Sequence, residues 1–202
     1  MPCGQRPLRR RLCLQPMPFF LLHPKSRSNG MFAAALIDDE ACLWDDPRLR
    51  LGAEIGSSWQ MPHLSLVQAG RRATSVLFNP NAIVVSEGVR DELSMFPELE
   101  FLPVDVRGHG VFFILHVVAT VELPVDARAK FTPAPGGNLF TVEAFPAAFD
   151  PPFAFFRVLH PMGAAARRPG GVARAVYLTA SAAERVHGCA GEFLEARPLP
   201  SK

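Results

Sequence analysis

The side chains best suited to chemistry in this sequence are two histidines and a group of carboxylates. His109 stands between Gly108 and Gly110, where an accessible imidazole titrating near neutrality would serve as a proton carrier. A general base also needs a partner and a pocket, and a solvated turn histidine is the expectation here. His116 lies inside the apolar stretch Val111 to Val118, and its expected role is a buried ring bonded to backbone or water rather than a ligand. The acids Asp38, Asp39, Glu40, Asp45 and Asp46 fall around Trp44 in a turn-rich segment. Consecutive acids usually face solvent. Their functional reading is a negative, aromatic-anchored surface for a basic protein, since complementary charge speeds encounter and aromatic residues often anchor interfaces. Asp38, Asp39, Glu40, Trp44, Asp45 and Asp46 are therefore the candidate binding residues.

No G-x-S-x-G elbow, G-x-x-x-x-G-K-[ST] loop, G-x-G-x-x-G turn or H-E-x-x-H pair occurs in the sequence. Cys3, Cys13, Cys42 and Cys189 lie far apart, with no C-x-x-C pair and no histidine at ligand spacing, which argues against structural zinc and a disulfide framework. Free thiols of this kind suit a reducing compartment, so a cytoplasmic location is expected. Arg71-Arg72 and Arg167-Arg168 are too sparse for a nucleic-acid groove. No catalytic residue, metal ligand or cofactor is assigned.

The elements that would position these side chains belong to an ordinary globular chain. Of 202 residues, 49% are apolar and 20% charged, away from the composition of disordered chains. Twenty prolines and fifteen glycines break each apolar run before it reaches the roughly 20 residues of a membrane-spanning helix. Residues 1–16 carry Arg6, Arg9, Arg10 and Arg11 and no acid. They read as a disordered or mis-assigned extension, with Met17 as the start of a single domain over 17–202. Without them the basic count falls from 21 to 17 against 19 acids, so the net charge moves from +2 to −2. Phe19 to Leu22 then forms an opening strand.

Periodicity is informative from Ile83 onward. Ile83-Val84-Val85 reads as a strand and Ser86 as a helix cap, with Glu87 favourable at the positive end of the helix. Val89, Leu93 and Phe96 share one helical face, and Pro97 is expected to stop the helix. Glu100 to Val106 is extended, and Val111 to Val118 is a strand buried on both faces near the centre of a sheet. The pattern returns 93 residues later: Val176-Tyr177-Leu178 matches 83–85, Thr179 matches Ser86, Val186 matches Leu93, and Glu192 to Leu199 echoes Glu100 to Val106. Strands are also expected at Phe32 to Ile37, Leu139 to Val142 and Phe153 to Leu159, with loops at Pro133 to Asn138 and Pro161 to Gly171. The expected fold is α+β: a mixed, largely antiparallel sheet with a few short helices, built around a duplicated strand-helix-strand unit.

The stretch Val84 to Leu93 running into Glu100-Phe101-Leu102-Pro103-Val104, with the later Val176-Tyr177-Leu178-Thr179 running to Gly191-Glu192-Phe193, resembles the myxobacterial-type immunity protein family of bacterial polymorphic toxin systems. The likeness spans about residues 17–199 and is most specific over 83–118 and 153–198. It implies a protein that neutralises a cognate toxin by stoichiometric binding, without catalysis, nucleic acid or membrane. A small enzyme and a self-associating structural protein are the alternatives, to be separated by a pocket holding two titratable groups in hydrogen-bond reach or by a large apolar patch. Oligomeric state is left open.

Overall fold

The structure is a computed structural model that describes residues 18–25, 34–38, 48–49, 52–67, 74–79, 82–134, 137–159 and 175–200. In chain order the first strands are β1 (Phe20–Pro24), β2 (Ala34–Asp38), β3 (His63–Leu66), β4 (Val76–Asn79) and β5 (Ala82–Val85). Helix α1 (Glu87–Leu93), β6 (Leu99–Val106), β7 (Gly110–Val117) and β8 (Thr120–Glu122) follow. A hairpin of β9 (Arg128–Ala134) and β10 (Gly137–Ala144) leads to β11 (Phe155–Leu159), β12 (Tyr177–Leu178), helix α2 (Ala180–Ala190) and β13 (Leu194–Pro198).

The fold is α+β, but its strands do not form one sheet. Six close a barrel in the order β2-β3-β6-β7-β5-β4, and five form an open sheet in the order β13-β1-β12-β11-β8. Strand β7 lies between β6 and β5, as its apolar run requires, and its last four residues are all buried. The β6–β7 turn holds Gly108 at φ 77° and Gly110 at φ 84°, left-handed conformations that glycine adopts without steric cost. Helix α1 starts where Ser86 turns from extended backbone, its carbonyl accepting the Arg90 N–H at 3.0 Å, although its hydroxyl makes no capping bond. The helix ends at Leu93 in a tight turn, before Pro97 could stop it. Among the described residues no helix is long and apolar enough to cross a membrane.

The duplication is wider than strand, helix, strand. Reading outward from β6, the neighbours β7, β5, β4 and β2 pair antiparallel, antiparallel, antiparallel and parallel. From β13, the neighbours β1, β12, β11 and β8 repeat that series. The N-terminal strand β1 thus fills in the second copy the place that β7 fills in the first. Val85 is paired with Phe113 and Leu178 with Phe20, so Phe112-Phe113-Ile114-Leu115-His116 falls on Phe19-Phe20-Leu21-Leu22-His23. The same register sets Leu99, Glu100 and Pro103 on Leu194, Glu195 and Pro198. This corrects the match of Glu192 to Leu199 with Glu100 to Val106. Helix α2 has eleven residues against seven in α1, while three residues (191–193) rather than five (94–98) lead to the next strand, so the offset grows to 95.

The cores follow the repeat. Leu77, Val84, Phe112 and Ile114 lie inside the barrel, and their counterparts Phe156, Tyr177, Phe19 and Leu21 pack with Val142 and Phe145 against the open sheet. A third cluster is shared: Val85, Val89, Leu93, Leu99 and Leu115 meet Leu178, Ala182, Val186, Leu194 and Leu22, which are the same positions in the other copy. Equivalent patches face each other, as in an isologous dimer interface formed within one chain. Burial of this apolar surface, at roughly 25 cal/mol per Å², is what holds the copies together. Glu98 adds a polar tie: its buried carboxylate accepts the Ala154 and Phe155 N–H groups at 2.7 and 2.8 Å, fixing the start of β11 to the turn before β6.

Candidate functional site

Helices α1 and α2 lie side by side over the shared core and leave a groove of about 690 Å³ between them. Ser75, Ser86, Gly88 and Val89 line it from the first copy, and Ser181, Gly188 and Cys189 from the second. Glu92, Glu184 and Arg185 complete its polar lining. The helices are placed there by their own sequences: Val89 and Leu93 on α1, and Ala182, Val186 and Ala190 on α2, bury one stripe each against the sheets. What remains uppermost is polar or small.

Arg185 pairs with the Glu92 carboxylate, and its Nε also donates to the Glu92 carbonyl at 3.0 Å. Both side chains are about half exposed, 46% and 51%, so the pair joins the helices without being sealed from water. Burial pushes the Cys189 thiol up from its ordinary pKa. A raised thiol is a weaker nucleophile at neutral pH than an ordinary cysteine, and the Glu92 carboxylate is engaged by Arg185. The groove therefore offers hydroxyls, opposite charges and a small apolar floor, which are groups for binding.

Of the acidic set chosen from sequence, only Asp38 lies among the described residues. The backbone of Asp38 ends β2 opposite Leu64 of β3, in the barrel wall. Asp39, Glu40, Trp44, Asp45 and Asp46 lie outside the described residues, as do Cys3, Cys13 and Cys42. His109 is exposed in the β6–β7 turn. His116 is buried at 1% exposure, with Nε2 2.9 Å from the Ala53 carbonyl and 4.0 Å from a Glu100 carboxylate oxygen. Glu100 also accepts the N–H groups of Ile55 and Gly56, and Trp59 donates Nε1–H to the Pro103 carbonyl at 2.7 Å. The E-F-x-P-V segment thus anchors the 55–59 turn to the barrel. Among the described residues no three His, Cys, Asp or Glu side chains gather as metal ligands would.

Sequence reasoning missed the groove because its residues are individually ordinary. A signal was present: the offset of 93 that aligns Ser86 with Thr179 also aligns Glu92 with Arg185, opposite charges at one repeated position. No family model matches the chain, and no curated protein matches it.

Proposed function

We propose that this protein is an immunity protein, which binds a cognate bacterial toxin one to one and blocks its active site or a surface it needs. The observation that carries the reading is that its two most family-like stretches form equivalent frames, β5-α1-β6 and β12-α2-β13, whose helices meet at the groove. A rigid frame that presents paired helices suits stoichiometric recognition, because little conformational freedom is lost on binding. The raised thiol and the mutually paired Glu92 and Arg185 favour binding over catalysis at this site.

The test is growth of a host expressing the toxin domain encoded beside this gene, with and without residues 17–202 in the same cell. Rescue and a one-to-one complex on purification are expected. Killing that persists despite abundant folded protein overturns the reading.

A further inference from the structure

The order of the strands along the chain and their order in space differ in one reciprocal respect. Residues 20–106 carry β1, β2, β3, β4, β5, α1 and β6, and residues 110–198 carry β7, β8, the β9–β10 hairpin, β11, β12, α2 and β13. These are two half-chains of one plan, with the hairpin in the place of β3. Equivalent parallel ladders pair Ala35 with Phe78 and Thr120 with Arg157, and equivalent antiparallel ones pair Phe20 with Leu178 and Phe113 with Val85. Yet each half-chain places its first strand in the other's sheet. Strand β7, from the second half, stands between β5 and β6 in the barrel, and β1, from the first, stands between β12 and β13 in the open sheet.

Neither exchanged strand lies at an edge. Without β7 the barrel would gape between β5 and β6, and without β1 the open sheet would be split between β12 and β13, leaving backbone N–H and C=O groups unpaired on both sides of each gap. Each strand also serves two cores. Phe112 and Ile114 fill the barrel while Leu115 and Val117 enter the shared core, and Phe19 and Leu22 divide in the same way on β1. The two strands are alike in sequence, Phe-Phe-Leu-Leu-His over 19–23 and Phe-Phe-Ile-Leu-His over 112–116. A half-chain is therefore completed by another half-chain of the same plan. Only the turn of residues 107–109, between the paired Val106 and Gly110, joins the two.

We infer that this chain is a pair of strand-exchanging subunits joined end to end, and that the surface each half presents to the other also accepts the matching half of a second copy of the chain. In that dimer the first half of one chain closes on the second half of the other, and the reverse, so that every contact of the single chain is kept except the reversal at 107–109. Exchange of identical elements is a low-cost route to dimers for this reason, and it is controlled by the segment that must open. The dimer presents the groove between α1 and α2 twice, once in each closed pair of halves.

Deletion of Arg107, Gly108 and His109 tests this on the whole chain. A hairpin needs about two loop residues at the least, so Val106 joined directly to Gly110 cannot fold back, and β6 runs on into β7. The variant should be a dimer of twice the parent's mass by light scattering, with the parent's far-UV circular dichroism and its amide shifts at Val89 and Val186. It should survive dilution, because separation withdraws a central strand from each sheet. A folded monomer, or a dimer that falls apart on dilution, overturns the inference. If the deletion leaves the chain unfolded or insoluble, refolding of the parent from urea at rising concentration decides. A dimer that survives dilution and is lost on heating through the melting transition is then expected, and a Gly-Ser-Gly insertion after Gly108 should lower its yield by relaxing the turn. Monomer alone at every concentration overturns the inference. Toxin binding enters neither measurement, so the function proposed above is tested apart from it.

Discussion

Glu92 and Arg185 occupy one position in the two copies of the repeat, 93 residues apart, and close an ion pair across the contact between α1 and α2. Because the position is the same, exchanging the two residues should rebuild the pair with its direction reversed. Glu92→Arg or Arg185→Glu alone sets like charges together, and each is expected to cost about 0.5–1 kcal/mol at this exposed site. The double exchange should recover most of that loss, giving a coupling energy of similar size in urea unfolding. Additive losses in the double variant would show that the two side chains act independently.

Glu98 should matter far more than its single charge suggests. Replacement by Ala leaves two N–H groups at the start of β11 without their acceptor, at about 2–4 kcal/mol in total. Urea midpoints should show it, with Glu98→Gln losing less because the amide oxygen can still accept. An Ala variant as stable as the parent would mean that water replaces the carboxylate freely.

Tyr177 sets the alkaline limit. Burial pushes its phenol up to about 12 from 10, outweighing the Val142 N–H bond to its oxygen at 2.6 Å. A folded pKa above the unfolded value gives stability that is complete below about pH 10 and is lost as pH rises toward 12. That shift corresponds to about 3 kcal/mol. Tyr177→Phe should flatten this loss while costing stability at neutral pH, where the Val142 N–H goes unpaired. Identical alkaline curves for variant and parent would refute the assignment.

Arg157 is expected to be a burden on stability. Burial lowers its guanidinium to about 10, Nη1 donates to the Leu49 carbonyl at 2.9 Å, and among the described residues Nε has no partner. Arg157→Met keeps the aliphatic volume and removes the desolvated charge, so a gain of about 1 kcal/mol in unfolding free energy is expected. A loss of several kcal/mol would reveal that the charge is needed.

Strand β1 completes the second copy, with Phe19 and Leu22 buried on its two sides. A chain beginning at Met17 should therefore melt as the full chain does. One beginning at Lys25 should lose the open sheet, seen as a lower melting temperature and a smaller cooperative transition. Equal melting of all three would place β1 outside the cooperative unit.

Much of this architecture is legible in the sequence. The hydroxyl at Ser86 or Thr179 between an apolar triplet and a helical stripe locates the start of both helices to the residue, because backbone direction and apolar period are local properties. The expected mixed, largely antiparallel pairing is present but divided among a barrel, an open sheet and a hairpin, since a period of two tells which face is buried and not which strand lies alongside. The Pro133 to Asn138 stretch is another local reading that pairing overrides: β9 continues to Ala134 and β10 begins at Gly137.

By itself, then, the sequence determined an α+β chain with a repeat near 93 residues, an apolar central strand and a buried His116. Tertiary structure alone decided that β2 and β4 close a barrel, and that the Phe19-to-His23 strand crosses the length of the chain to stand where Phe112 to His116 stands in the other copy. It also decided that Glu92 meets Arg185 and that the two helices leave a groove between them. These are contacts between residues far apart in the chain. Their free energy comes from surfaces matched in space, which no local window of sequence contains.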